Sequence, residues 1–109
     1  MTTVTVETRS GKICLVECDG HTGYGEHGED IVCAALSSIV QTALLGLFSV
    51  AGVDVDVERD DEEGYLRMEL PKTLSARQRE AADIILETMM LGIRDLREGF
   101  SDFIELEVK

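Results

Sequence analysis

The chain has 109 residues, with 10 basic against 22 acidic side chains, a formal net charge of −12 and an apolar fraction of 44%. That is the size of one domain, residues 1–109, with enough apolar surface for a single core. An acidic balance with 5% aromatics and no Trp argues against direct nucleic-acid binding, because each phosphate contact calls for Lys or Arg to displace counterions. Basic partners are the electrostatically favoured ones.

Val4 and Val6 alternate with Thr3, Thr5 and Glu7, which predicts a first strand with one face toward a core. Nothing in this stretch has the basic start and continuous apolar run of a secretory signal, so a cytoplasmic location is expected. Ser10-Gly11-Lys12 turns the chain, and Ile13 to Cys18, apolar except at Glu17, reads as a strand central in the sheet. The cysteines are Cys14, Cys18 and Cys33. A four-residue offset along a strand separates Cys14 and Cys18 by roughly 13 Å, too far for a disulfide. Reduced thiols suit a cytosolic chain.

Gly20, Gly23, Gly25 and Gly28 crowd the next segment, which predicts a loop. From Ile31 to Val53 no charged residue appears. The length raises the question of a membrane span, but Ser37, Ser38, Gln41 and Thr42 fall on one side of a helix and the flanks are acidic. A helix buried on two sides, against its own sheet and a second copy of the chain, is the expectation. Ala51-Gly52 ends it, with Gly52 at the C′ position.

Val53, Val55 and Val57, then Leu66, Met68 and Leu70, alternate with polar residues around Asp60 to Gly64, a second hairpin with one wet face. Ser75 and Gln78 form a capping box that opens a helix running through Ala81, Ile85, Met89 and Leu96 to Gly99. Gly92 marks a close packing contact within it. Ile104, Leu106 and Val108 alternate with Glu105 and Glu107, the last strand. The order ββαββαβ predicts an α+β two-layer sandwich, a mostly antiparallel sheet covered by two helices. The acids from Asp54 to Glu63 read first as a solvated face and turn, and also as a means of steering a basic substrate.

Chemistry concentrates between Gly20 and Ala35. Cys33 is placed in the first turn of the apolar helix, where unpaired backbone N–H groups and the positive end of the dipole stabilise an anionic sulfur. The same groups are candidates to hold an oxyanion. His21, at the end of the second strand, can return beside that helix start as the general base of a Cys nucleophile. His27 has less chain with which to fold back. Asp30 either caps the helix or orients the imidazole. Taken alone, Cys33 reads rather as an inert small hydrophobe, because free Cys is commonly buried.

Gly23-Tyr24-Gly25-Glu26-His27-Gly28 matches the dinucleotide fingerprint G-x-G-x-x-G. Glu26, Glu29 and Asp30 would face the pyrophosphate, however, and the strands arrive as hairpins instead of a βαβ unit. His21, His27 and Cys33 lack a clear fourth ligand for a metal. No cofactor or metal is therefore expected.

Gly20-His21, followed by Gly28, then Asp30-Ile31-Val32-Cys33-Ala34-Ala35 and Ser37, resembles the signature of the ribosomal-processing cysteine protease family of Firmicutes and related bacteria. Length and element order agree across the chain. The resemblance implies a homodimeric endopeptidase that removes a short N-terminal extension from the precursor of large-subunit ribosomal protein twenty-seven. It implies Cys33 as nucleophile and His21 as base, with Asp30 and Ser37 at supporting motif positions and no role for His27. Readings in other classes are a non-catalytic ribosome-assembly binder and a redox-sensing thiol protein.

Overall fold

The computed structural model describes residues 1–20 and 27–109, with the backbone alone for residues 27–30. Its elements run β1 (Thr2–Arg9), β2 (Lys12–Asp19), α1 (His27–Ser49), β3 (Asp56–Asp60), β4 (Tyr65–Glu69), α2 (Ala76–Gly99) and β5 (Ile104–Val108). The expected order ββαββαβ is present. The strands form one sheet in the order β3-β4-β2-β1-β5, antiparallel throughout except where β5 runs parallel to β1. β2 lies at the centre, as its near-continuous apolar run predicts.

The β1–β2 turn needs two left-handed residues, and Ser10 (φ 56°) and Gly11 (φ 77°) supply them, the geometry that matches the twist of paired strands. Val4 and Val6 on β1, Val16 and Cys18 on β2 and Met68 on β4 point to the helix side and are buried. Their neighbours point the other way, so Thr5, Glu17, Arg67 and Glu58 stand in one row across four strands. That open face is acidic, and Arg67 sits within it, 3.2 Å from Glu69 and 4.0 Å from Glu58.

Helix α1 lays Val32, Leu36, Val40, Ala43 and Leu47 on the sheet, a stripe at three- and four-residue spacing. Ile31, Leu45 and Phe48 remain exposed. The segment Ile31–Ser49 is apolar and long enough to cross a membrane by length and composition, a test that a core helix also passes. Here its buried stripe packs on the sheet. Gly52, left-handed at φ 65°, ends the turn that follows, and the Val53 N–H returns to the Leu47 carbonyl at 2.8 Å.

Helix α2 buries Ala82, Leu86, Met89, Met90 and Ile93. Its capping box is formed: Ser75 Oγ accepts from the Gln78 N–H at 3.1 Å, and Gln78 Oε1 accepts from the Ser75 N–H at 2.9 Å. Gln78 Nε2 also donates to the Gly52 carbonyl at 2.8 Å, joining the exit of α1 to the entry of α2. The helices meet at small residues. A Cβ on Gly92 would lie 3.3 Å from Ile39 Cγ2, and one on Gly46 3.5 Å from Ile85 Cδ1.

Two boundaries differ from the sequence reading. Helix α1 starts at His27, so Asp30 lies inside it and is not its N-cap. A single Gly28 in a helix costs only about 1 kcal/mol, too little to stop a helix that the core holds in place. Strand β3 begins at Asp56, although Val53 and Val55 are buried. The alternation there reports an extended chain over the core before the ladder begins.

Candidate active site

The end of the sheet, the first half of α1 and the β3–β4 hairpin enclose a cleft of about 170 Å³. Cys33, Ser37 and Gln41, spaced by four residues, form one stripe of α1 along it. Leu36 and Val40 make the adjoining apolar wall. From the sheet come Thr2, Cys18 and Gly20, and from the hairpin Arg59, Asp61 and Leu66. The predicted residues Gly20, Cys33 and Ser37 are thus brought together. His21 lies outside the described residues, as does the side chain of Asp30.

Gly20 is required by geometry. Its φ is 128°, and a Cβ there would fall 2.5 Å from the Met1 carbonyl oxygen and 3.1 Å from Thr2 Cα. The backbone leading to His21 is therefore pressed against the start of β1, an approach that only glycine allows.

The three thiols are unlike one another. Cys14 lies away from the cleft, its Sγ 3.4 Å from the Glu7 carbonyl oxygen. Cys18 is buried at 9% exposure. Burial, reinforced by Glu17 and by Cys33, pushes its thiol up to about 12, so it stays neutral and a poor nucleophile at physiological pH. Cys33 is half-buried and faces the same cleft. Of the three, it alone combines access to the cleft with exposure, the placement a nucleophile needs.

The start of α1 at His27 changes one detail of the expected chemistry. Cys33 falls beyond the first turn, so the unpaired N–H groups of the helix start precede it along the axis. Its own N–H belongs to the interior of the helix, and the expectation that the first-turn amides surround this sulfur is not met.

Sequence reading passed over Thr2, Gln41 and Arg59. Thr2 shares the strand parity of Val4 and Val6, so a polar residue on the core face was a usable signal. Its side chain is 4% exposed, and Oγ1 has no hydrogen-bond partner among the described residues. Such a hydroxyl costs on the order of 1–3 kcal/mol while it stays unpaired. Arg59 is the one basic residue between Asp54 and Glu63, and it reaches Asp61 at 2.8 Å. Nearby, the Tyr65 hydroxyl donates to Glu17 Oε2 at 2.8 Å. That bond, with some burial, pushes the phenol up to about 12.

A larger hollow of about 470 Å³ lies beside α2 near the β1–β2 turn, lined among others by Lys12, Asp83 and Arg94. It holds no cysteine. No cluster of His, Cys, Asp and Glu able to hold a metal ion occurs among the described residues.

The family model for cysteine protease Prp matches residues 1–105. The ribosomal processing cysteine protease Prp of Bacillus subtilis is 28% identical over 90 residues, 83% of this chain and 80% of that protein. Its Staphylococcus aureus counterpart is 29% identical over 99 residues, 91% of this chain and 90% of that protein. Among solved structures, SMU.848 from Streptococcus mutans superposes with a TM-score of 0.89 at 31% identity, covering 99% of this chain and 93% of that one. The S. aureus protease Prp in complex with a substrate peptide superposes with a TM-score of 0.87 at 27% identity over 100% of both chains. The same protease carrying a covalently linked product peptide gives a TM-score of 0.85 at 28% identity, also over 100% of both chains. A match along nearly the whole chain, to a fold whose cleft here presents a half-buried cysteine, leads to one assignment: the chain belongs to the cysteine protease Prp family and is a cysteine-type peptidase.

Proposed function

We propose that this peptidase removes the N-terminal extension from the precursor of large-subunit ribosomal protein twenty-seven, with Cys33 as nucleophile and His21 as general base. The observation that carries the reading is the half-buried Cys33 thiol facing a cleft whose other cysteine, Cys18, is held neutral by burial. Cys33 Sγ adds to the scissile carbonyl while the imidazole of His21 takes the thiol proton. Hydrogen-bond donors of the site hold the oxyanion. The imidazolium then gives its proton to the leaving amine, and water, activated by the same imidazole, releases the acyl group from sulfur. The S. aureus relative bound to a substrate peptide supports a peptide as the occupant of the cleft.

The surfaces agree with such a substrate. The open sheet face carries Glu7 and Glu69 on either side of Leu15 and Glu17 and Glu58 on either side of Arg67, a field that attracts a basic ribosomal protein and fades as salt rises. A homodimer belongs to the same reading. Ile31 and Leu45 on α1 and Ile84 and Leu91 on α2 are exposed, and Ile84 also lines a groove of about 460 Å³ between the helices. A second copy is the proposed cover for these residues, and the cytoplasm the proposed location.

The test is incubation of the purified chain with the full-length precursor under reducing conditions, followed by intact mass. The wild type is expected to release the N-terminal extension, and Cys33→Ala and His21→Ala to leave it attached. A precursor that binds yet stays whole with wild type would overturn the reading in favour of an assembly binder.

A further inference from the structure

We propose that a hollow beside the β1–β2 turn, lined by Arg9, Lys12, Lys72 and Arg79, is an anion site that takes the phosphate or diphosphate group of a small molecule. The site is separate from the Cys33 cleft: Thr2 and Gly20 line the cleft, Arg9 and Lys12 the hollow, and β1 from Thr2 to Arg9 spans roughly 23 Å. Four of the ten basic residues of a chain with net charge −12 converge on this volume of about 190 Å³. Like charges gathered so closely repel one another, and an anion among them relieves the repulsion. Two of the four are held in position. Half-buried Arg79 donates through Nε to Asp83 Oδ1 at 2.7 Å and through Nη2 to the Ile13 carbonyl at 3.0 Å, and Lys12 Nζ reaches Asp83 Oδ2 at 2.8 Å. Arg9 and Lys72 form no ion pair among the described residues, so their charges remain for a ligand. Glu69, the acid in the lining, is engaged by Arg67 at 3.2 Å. The sheet also breaks its ladder here. Glu7 faces Leu15 and Thr8 faces Ile13, which leaves Cys14 as a bulged residue without a partner on β1, and it joins the lining. Bulges re-aim side chains beside functional sites.

Chemistry and size choose the occupant. Guanidinium forks match phosphate oxygens two at a time, and lysine ammonium groups add point charge. A cavity of roughly 150 Å³ holds one benzene ring, so the hollow admits a phosphate or diphosphate and leaves the rest of a larger molecule outside. An extended polyanion such as RNA would also lie against the acidic surface around the hollow, which repels it. A compact anion meets the four cations alone.

Equilibrium dialysis of the purified chain against sodium pyrophosphate at fixed ionic strength provides the test. One saturable site per chain is expected. Arg9→Ala and Lys72→Ala, which remove exposed side chains, should each weaken it about tenfold or more, the value of a hydrogen bond to a charged group. Arg97→Ala, an equal change of charge in the last turn of α2, should leave it unchanged. Cys14 supplies a second readout. Pyrophosphate at ten times its dissociation constant should slow alkylation of Cys14 by iodoacetamide about tenfold by mass action, with the rate at Cys33 unmoved. Orthophosphate dialysed in the same way separates the sources: binding as tight as that of pyrophosphate assigns the site to free phosphate, and weaker binding assigns it to the diphosphate of a larger molecule. No saturable uptake, equal weakening by Arg97→Ala, or an unmoved Cys14 rate at saturation would overturn the site. An RNA oligonucleotide without a terminal phosphate that binds more tightly than pyrophosphate would overturn the compact occupant in favour of RNA. None of these readouts depends on the role proposed for Cys33.

Discussion

The two helices share one side of the sheet but are specified by different means. Helix α2 carries its own instructions: a closed capping box at Ser75 and Gln78, charged residues on its outer side, and ties to β2 through Arg79 and Asp83. The Arg79 guanidinium donates to the Ile13 carbonyl at 3.0 Å, and Lys12 Nζ to Asp83 at 2.8 Å. Helix α1 has no charged residue from Ile31 onward, and it depends on what it touches. Local signals suffice for a helix that only has to pack. The helix that carries Cys33 is held by burial, which leaves its side chains free to serve the cleft and the exposed apolar surface.

Truncation of the buried stripe should break this contrast most severely. Leu47→Ala on α1 and Leu86→Ala on α2 both remove fully buried side chains, and each is expected to cost about 2–5 kcal/mol in denaturant unfolding. Leu45→Ala, on the exposed side of α1, should cost under about 0.5 kcal/mol in the monomer while weakening self-association measured by sedimentation. A loss of monomer stability as large as that at Leu47 would show that α1 has no free side.

The contact between the helices gives the next effect. Gly92→Val places a branched side chain where Ile39 Cγ2 already lies 3.3 Å from a Cβ, and about 1–3 kcal/mol should be lost. Ser75→Ala opens the capping box and should cost about 1 kcal/mol, with no change in the rate of Cys33 alkylation if α2 is structural alone.

The smallest effects are electrostatic. Burial opposes the charged form of Asp83, but hydrogen bonds from Lys12 and Arg79 outweigh it and hold its carboxyl below the ordinary value of 3.8. A depressed folded-state value stabilises the fold above the unfolded value and loses that support as pH falls through the folded one. Asp83→Asn should therefore flatten the acid limb of the unfolding curve below about pH 4. Cys18 works at the other end. Its thiol, raised from 9.0 to about 12, supports the fold fully below pH 9 and loses that support as pH climbs toward 12. Accordingly, iodoacetamide at pH 8 should label Cys33 in the native protein and reach Cys18 only on unfolding.

Much of this was legible in the sequence because periodicity records burial. The alternation of Val4 and Val6, the run Ile13 to Cys18 and the Ser75–Gln78 pair each became the expected element. Gly92 became the expected close contact. The G-H and D-I-V-C-A-A motif located Gly20, Cys33 and Ser37, all on one cleft. The start of α1 was misplaced because Gly28 looks like a breaker locally, whereas tertiary packing decides such cases. The strand order and the parallel pairing of β5 with β1 depend on how distant segments pack, and no local pattern encodes them. Thr2 and Arg59 were missed for a simpler reason: each is one polar residue inside an alternating run, and the run was read for its apolar positions alone.

The acidic strands also bear on solubility. β3 and β5 are the two edges of the sheet, and each leaves one row of backbone N–H and C=O groups open to another chain. Asp56, Glu58 and Asp60 line one edge, Glu105 and Glu107 the other. Adding a strand at either margin would bring like charges into adjacent rows, which keeps both margins from pairing edge to edge. That protection is tied to ionised carboxylates, so it weakens toward the isoelectric point near 4.4. Acidification is thus the condition under which the folded protein should begin to form fibrils or precipitate through its sheet margins, before its core comes apart.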